Sequence, residues 1–114
     1  MHRLVIIESP FAGTPEEVQA NIRYARACVL DCLKRGEAPY ASHLLYTQEG
    51  ILDDTVPEQR RLGIEAGLAW GHQAQATVVY IDRGISDGMI QGIIRAIKEG
   101  RVVEPRSLNG AGSN

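Results

Sequence analysis

Ala76-Thr77-Val78-Val79-Tyr80-Ile81, followed directly by Asp82-Arg83-Gly84-Ile85-Ser86-Asp87-Gly88, reads as a strand running into a turn. The strand is continuous, apolar and β-branched, as expected where helices cover both faces of a sheet. Toward the N-terminus, Arg3 to Glu8 is a second β-branched run, stopped by Ser9-Pro10-Phe11-Ala12-Gly13. Thr14-Pro15-Glu16-Glu17 then supplies an N-cap, a proline at the first helical position and the glutamate of a capping box. Val18, Ile22, Ala25, Val29 and Leu33 follow at helical spacing, and Gly36 ends the helix behind Lys34 and Arg35, cations the dipole favours there. Ala38 to Ser42 is a weaker strand. His43 to Asp54 has no period and is long for a loop in a small domain, which points to a functional or mobile segment. Thr55-Val56-Pro57-Glu58 predicts a second capping box opening a helix to about Gln73. Past the central strand, a helix from about Gly88 to Glu99 is expected to bury Ile90, Ile93, Ile94 and Ile97, with Gly100 as its cap. Arg101 to Glu104 is the last strand.

With right-handed crossovers, this alternation predicts an α/β domain with a four-stranded parallel sheet of order 2-1-3-4 and helices on both faces. The chain then reverses direction between the first and third strands. Ligands of such sheets bind beyond the carboxyl ends of the strands at that reversal. Two segments lie there: Ser9 to Thr14, and Asp82 to Met89.

The chain has 114 residues, 44% apolar and 23% charged, with a net charge of -2. Residues 1–108 are read as one domain and the small, polar 109–114 as a flexible tail. The charge balance argues against a nucleic-acid polymer as partner, and no apolar run is long enough to span a membrane. A cytoplasmic location is expected, with Cys28 and Cys32 as reduced core thiols.

Both reversal segments contain glycine and lead into a helix N-terminus, where unpaired N–H groups and the dipole favour an anion. Ser9, Gly13 and Thr14 form one such candidate, Ser86 and Gly88 the other; the plain alternative is that they are caps and turn residues. No dinucleotide fingerprint and no P-loop is present. Of the carboxylates near the predicted rim (Glu8, Glu49, Asp53, Asp54, Glu65, Asp82 and Asp87), two are candidate catalytic groups. Asp82 directly follows the central strand. Glu65, flanked by Ile64, Ala66 and Gly67, is expected to be partly buried and able to act as acid or base. His43 is placed at the end of the second strand, and Phe11 and Tyr46 in loops where they could stack on a base. Trp70 is expected in the core. The histidines lack metal-ligand spacing, so no metal and no cofactor are expected. Gly63, Gly67 and Gly71 recur along one face of the second helix and predict close packing on the sheet or on a partner. A homo-oligomer, most simply a dimer through that face, is the expectation.

Together, Ser9-Pro10-Phe11-Ala12-Gly13, Ala76 to Asp82, Gly84-Ile85-Ser86-Asp87-Gly88-Met89 and the helix to Ala96, Gly100 and Val102-Val103 resemble the nucleoside 2-deoxyribosyltransferase-like superfamily. Ile6 to Leu108 is similar to its small members from phages and bacteria. The resemblance implies a flavodoxin-like three-layer sandwich, usually oligomeric, that cleaves or exchanges the N-glycosidic bond of nucleosides or their monophosphates. It implies a nucleophilic glutamate within a pattern like S-x-G-x-x-x-E. Ser86 and Gly88 match that pattern, but Gly92 stands at the glutamate position. The pocket therefore carries over without the covalent mechanism. Ligand-binding candidates are Ser9, Pro10, Phe11, Gly13, Thr14, His43, Tyr46, Ser86, Gly88 and Met89. The expected function is a nucleotide or nucleoside-phosphate binder acting as carrier, sensor or sequestering sponge. The alternative is an N-glycoside hydrolase or deoxyribosyltransferase using Glu65 or Asp82.

Overall fold

The computed structural model describes residues 2–109, so the tail beyond Asn109 lies outside the described residues. Four strands, β1 (Arg3–Glu8), β2 (Glu37–Tyr40), β3 (Ala76–Tyr80) and β4 (Val102–Arg106), form one sheet. They are all parallel, in the order β2-β1-β3-β4. The helices are α1 (Pro15–Lys34), the single turn α2 (Ser42–Leu45), α3 (Pro57–Gly71) and α4 (Asp87–Lys98). The architecture is a flavodoxin-like three-layer sandwich. Every residue of β3 is buried, as its unbroken apolar run requires.

One sheet face carries the main core. Val5, Ile7, Ala76, Val78 and Tyr80 pack there against Cys28 and Cys32 of α1. The period of two turns Ile6, Glu8, Thr77 and Val79 to the opposite face, under α3 and α4. Both cysteines are buried free thiols, and burial pushes Cys28 up to about 12, which makes it inert. The inward stripe of α1 is Asn21, Ala25, Cys28 and Cys32, about one residue round from the expected one, and Leu33 is exposed.

Several expected boundaries move. Thr14 caps α1 through the predicted box, its Oγ1 accepting from Glu17 N while Glu17 Oε1 accepts from Thr14 N. Thr55 does not cap α3. Its hydroxyl donates to Asp53 Oδ1 at 2.6 Å, and Val56 precedes Pro57 without a side-chain cap. Ser42, the expected last residue of the second strand, instead opens α2, so His43 belongs to a helical turn rather than a strand end. β4 runs on to Arg106, past Pro105, which an edge strand tolerates. The outer face of α4 is also reversed from expectation. Met89 and Ala96 are its buried residues, while Ile90, Ile94 and Ile97 face outward, Ile97 being 64% exposed.

The Arg106 side chain is buried and forms a two-pronged pair with Glu37, its Nη1 and Nη2 donating at 2.7 and 2.6 Å. Nη1 also donates to Tyr80 Oη at 3.3 Å, and Tyr80 in turn donates to Asp31 of α1 at 2.6 Å. Such a fork satisfies a buried carboxylate with geometry that lysine cannot reproduce.

Candidate functional site

At the carboxyl ends of β1 and β3 a cleft of about 480 Å³ opens between α3 and α4, with Ile6 and Glu8 of β1 in its wall. It coincides with the chain reversal. Ser9, Phe11, His43, Ser86, Gly88 and Met89 all line it, drawn from the turn after β1, from α2 and from the start of α4. A second cavity of about 630 Å³, bounded by Gly13, Val18 and the segment from Thr47 to Thr55, shares Phe11, Ala12, Asp54 and Arg60 with the first. Gly13 therefore belongs to the neighbouring hollow. Pro10, Thr14 and Tyr46 line neither cavity. The Thr14 hydroxyl is engaged in its cap, and Tyr46 packs edge-on against Tyr40 at 6.3 Å. Trp70, 56% exposed, leans on Tyr40 instead of entering the core.

The polar side of the cleft is built by short local devices. Ser9 is buried, and its Oγ is 2.7 Å from His43 Nε2. Burial pushes His43 down to about 4, so the imidazole is neutral near pH 7. α2 holds that ring in place because α3 lies close upon it: a Cβ at Gly67 would come within 2.7 Å of Ser42 Oγ. The glycine face of α3 thus packs on its own chain. A Cβ at Gly63 would meet Leu52 and one at Gly71 would meet Arg101. Ser86 caps α4, its Oγ accepting from Met89 N at 3.3 Å, while Ser86 N donates to Met89 Sδ at 3.3 Å. The first turn of α4, Asp87 to Met89, lines the cleft, and the N–H groups of a helix's first turn lack intrahelical partners.

Glu8, a carboxylate expected near the rim but not among the candidate site residues, is also part of this wall. Its carboxyl shares the cleft with Gly92, and a Cβ at position 92 would overlap it. Burial pushes Glu8 up to about 8, against the pull of the Arg101 guanidinium. Arg101, 6% exposed in its side chain, closes the inner end of the cleft. It donates to Gly71 O at 2.6 Å, Thr77 Oγ1 at 3.0 Å and Glu99 Oε1 at 2.6 Å. Asp54 and Arg60 pair at 3.0 Å where the two cavities meet, and burial raises Asp54 while Arg60 pulls it back.

The two catalytic candidates from the sequence lie elsewhere. Glu65 is on the outer side of α3, its side chain 59% exposed and 3.7 Å from Arg61, so it is not the partly buried acid expected. A glycine-rich face turned inward sends its flanking residues outward. Asp82 faces α1 and the chain after β4: it accepts from Tyr24 Oη at 2.7 Å, from Leu108 N at 2.9 Å and from the Ser107 hydroxyl. Burial alone would raise it, but these bonds hold it down to about 2. It is a structural clamp.

The meeting of Glu8 with Gly92 had a signal in the sequence. Glu8 ends an apolar strand with the parity of Leu4 and Ile6, and a lone glycine inside a helix calls for a close neighbour. Arg101 had none, since its partners Gly71 and Thr77 are distant in sequence. Among the described residues no group of three His, Cys, Asp or Glu side chains is arranged to hold a metal ion. No described helix is long and apolar enough to cross a membrane. Residues 3–106 match a family described as a Domain of unknown function (DUF7768). No curated protein matches the chain.

Proposed function

We propose a nucleotide-binding role for this chain, which belongs to the DUF7768 family: the cleft takes a nucleotide or nucleoside phosphate. The observation that carries the reading is the convergence of Ser9, His43 and the Ser86–Met89 turn on one cavity at the chain reversal. Three segments distant in sequence contribute polar groups to the same space. The N-terminal N–H groups of α4 suit a phosphate or a sugar hydroxyl, and Phe11, Ile64, Leu68 and Met89 offer an apolar wall for a base. Carrier, sensor and sequestering sponge all use such a site. Thermal-shift titration with nucleosides and their mono-, di- and triphosphates tests the reading. A saturable rise in Tm is expected, equivalent to about 2.7 kcal/mol at a hundred times Kd. No shift from any of them at millimolar concentration would refute it.

The hydrolase or transferase alternative needs a carboxyl group inside the cleft. Neither Glu65 nor Asp82 supplies one, whereas Glu8, Asp54 and Asp87 line it.

A further inference from the structure

The cleft runs inward between α3 and α4 as far as Arg101. Two glycines, one on each helix, leave room there for polar groups. A Cβ at Gly92 would overlap the Glu8 carboxyl, and one at Gly71 would come within 3.2 Å of Arg101 Nη2. The Arg101 side chain is 6% exposed, and Glu99 matches its charge at 2.6 Å. Its Nε and Nη1 are taken up by Thr77, Gly71 and Glu99. Nη2 has no hydrogen-bond partner among the described residues. It is not sealed off either, because the one fully enclosed side-chain nitrogen or oxygen without a partner among those residues is Tyr40 Oη. The Nη2 hydrogens are therefore open to a group that enters the cleft.

Glu8 supplies the opposite chemistry. It is half-buried at the end of β1, and among the described residues no hydrogen bond engages its carboxyl. In the sheet Ile6 is level with Thr77 and Glu8 with Val79, so Glu8 stands two residues, about 7 Å, beyond the level at which Thr77 anchors Arg101. The two side chains do not pair with each other. The gap between them suits a flat group with N–H donors on one side and a carbonyl on the other.

We propose that Glu8 and Arg101 are specificity-determining residues that select guanine as the base of the nucleotide held in this cleft. The inference rests on the nucleotide-binding reading above and adds the choice of base to it. Guanine carries two adjacent N–H donors, on a ring nitrogen and on its amino group, beside a carbonyl oxygen. The Glu8 carboxylate accepts from both donors, and Arg101 Nη2 donates to the carbonyl. Hydrogen bonds of about 2.9 Å on either side of that ring edge bridge a gap of this order. Adenine has no carbonyl, and it turns a bare ring nitrogen toward the carboxylate where guanine turns an N–H. Because Glu99 already balances Arg101, the inner end suits a neutral carbonyl, and the phosphate stays at the start of α4.

The test titrates the full chain with GMP, IMP, AMP, UMP and CMP in a calorimeter at about pH 8.5, where the Glu8 carboxyl is ionised. GMP is expected to bind at least about tenfold more tightly than AMP, with IMP, which lacks the amino donor, between them. Glu8→Leu removes the acceptor together with a half-buried, unpaired carboxyl, so the chain should fold while its preference for GMP over AMP disappears. Arg101→Lys keeps a cation beside Glu99 but withdraws the planar nitrogen, and should weaken the preference as well. The ratio of two affinities does not depend on how much of the protein is folded, so a merely structural role for either residue would leave it unchanged. Binding of AMP, UMP or CMP as tight as that of GMP would overturn this proposal and leave the binding reading standing. Absence of binding by all five would overturn both. The full preference for GMP kept by Glu8→Leu overturns it too.

Discussion

Glu8 and His43 face one cleft but pull stability in opposite directions as pH changes. Glu8 titrates near 8 in the folded chain against an ordinary 4.5, so the folded state holds the extra proton between those values. Stability therefore falls as pH rises from 4.5 to 8. His43 titrates near 4 against an ordinary 6.5, so the unfolded state holds the extra proton and stability rises from pH 4 to 6.5. The two windows overlap and largely cancel between 4.5 and 6.5. Urea unfolding should accordingly show a broad maximum there, with a decline toward pH 8 owed to Glu8 and one toward pH 4 owed to His43. Glu8→Gln should abolish the alkaline decline. At about 1.4 kcal/mol for each pH unit, its gain at pH 8 is bounded at about 5 kcal/mol, and water in the open cleft makes it smaller. A Glu8→Gln protein no more stable than the parent at pH 8 would contradict the burial assigned to this group.

At the scale of elements, two glycines set how helices meet their neighbours. A Cβ at Gly13 would come within 2.6 Å of Glu17 Oε1, so Gly13→Ala should open the α1 capping box. The expected loss is about 0.5–2 kcal/mol by urea denaturation, with no change in the cleft. Gly67→Ala strikes Ser42 at 2.7 Å and should push α2 away, loosening His43 from Ser9. Its signature is weaker nucleotide binding in calorimetry, beyond any change in stability. Retained affinity would show that α3 does not position the histidine. These same helices show what was legible in the sequence. The α1 box and the α4 start could be read because capping is local chemistry within four residues. The inner face of α4 could not: its isoleucines form the stronger stripe, yet Met89, Gly92, Ile93 and Ala96 turn inward because the space above Glu8 is narrow. Thr55 misled because Asp53, two residues back, captured its hydroxyl. Ser9 and Ser86 were found by their place at strand and helix ends, whereas Glu8 with Gly92, and Arg101 with Gly71, exist only after folding.

For the molecule as a whole, the expected self-association moves away from the glycines of α3. Ile90, Ile94 and Ile97 share one exposed face of α4, and a symmetric dimer would cover it twice with one patch. We expect light scattering to report a mass near twice 12.5 kDa at micromolar concentration, and Ile94→Glu to shift it toward the monomer. A parent chain that is already monomeric would end that expectation. The Arg106–Glu37 fork makes a second demand on the whole chain. Arg106→Met should cost about 3–5 kcal/mol by leaving Glu37 buried with only the more distant Arg3, 3.5 Å away, and adding Glu37→Met should recover much of that loss. The fork also sets a timetable for synthesis. A nascent chain that has released β1, α1 and β2 has only Arg3, 3.5 Å from Glu37 in the folded chain, to offset that carboxylate, because Arg106 lies 69 residues downstream. The two-pronged pairing of Glu37 therefore forms only after β4 has been made, and β2 meets its buried cation late.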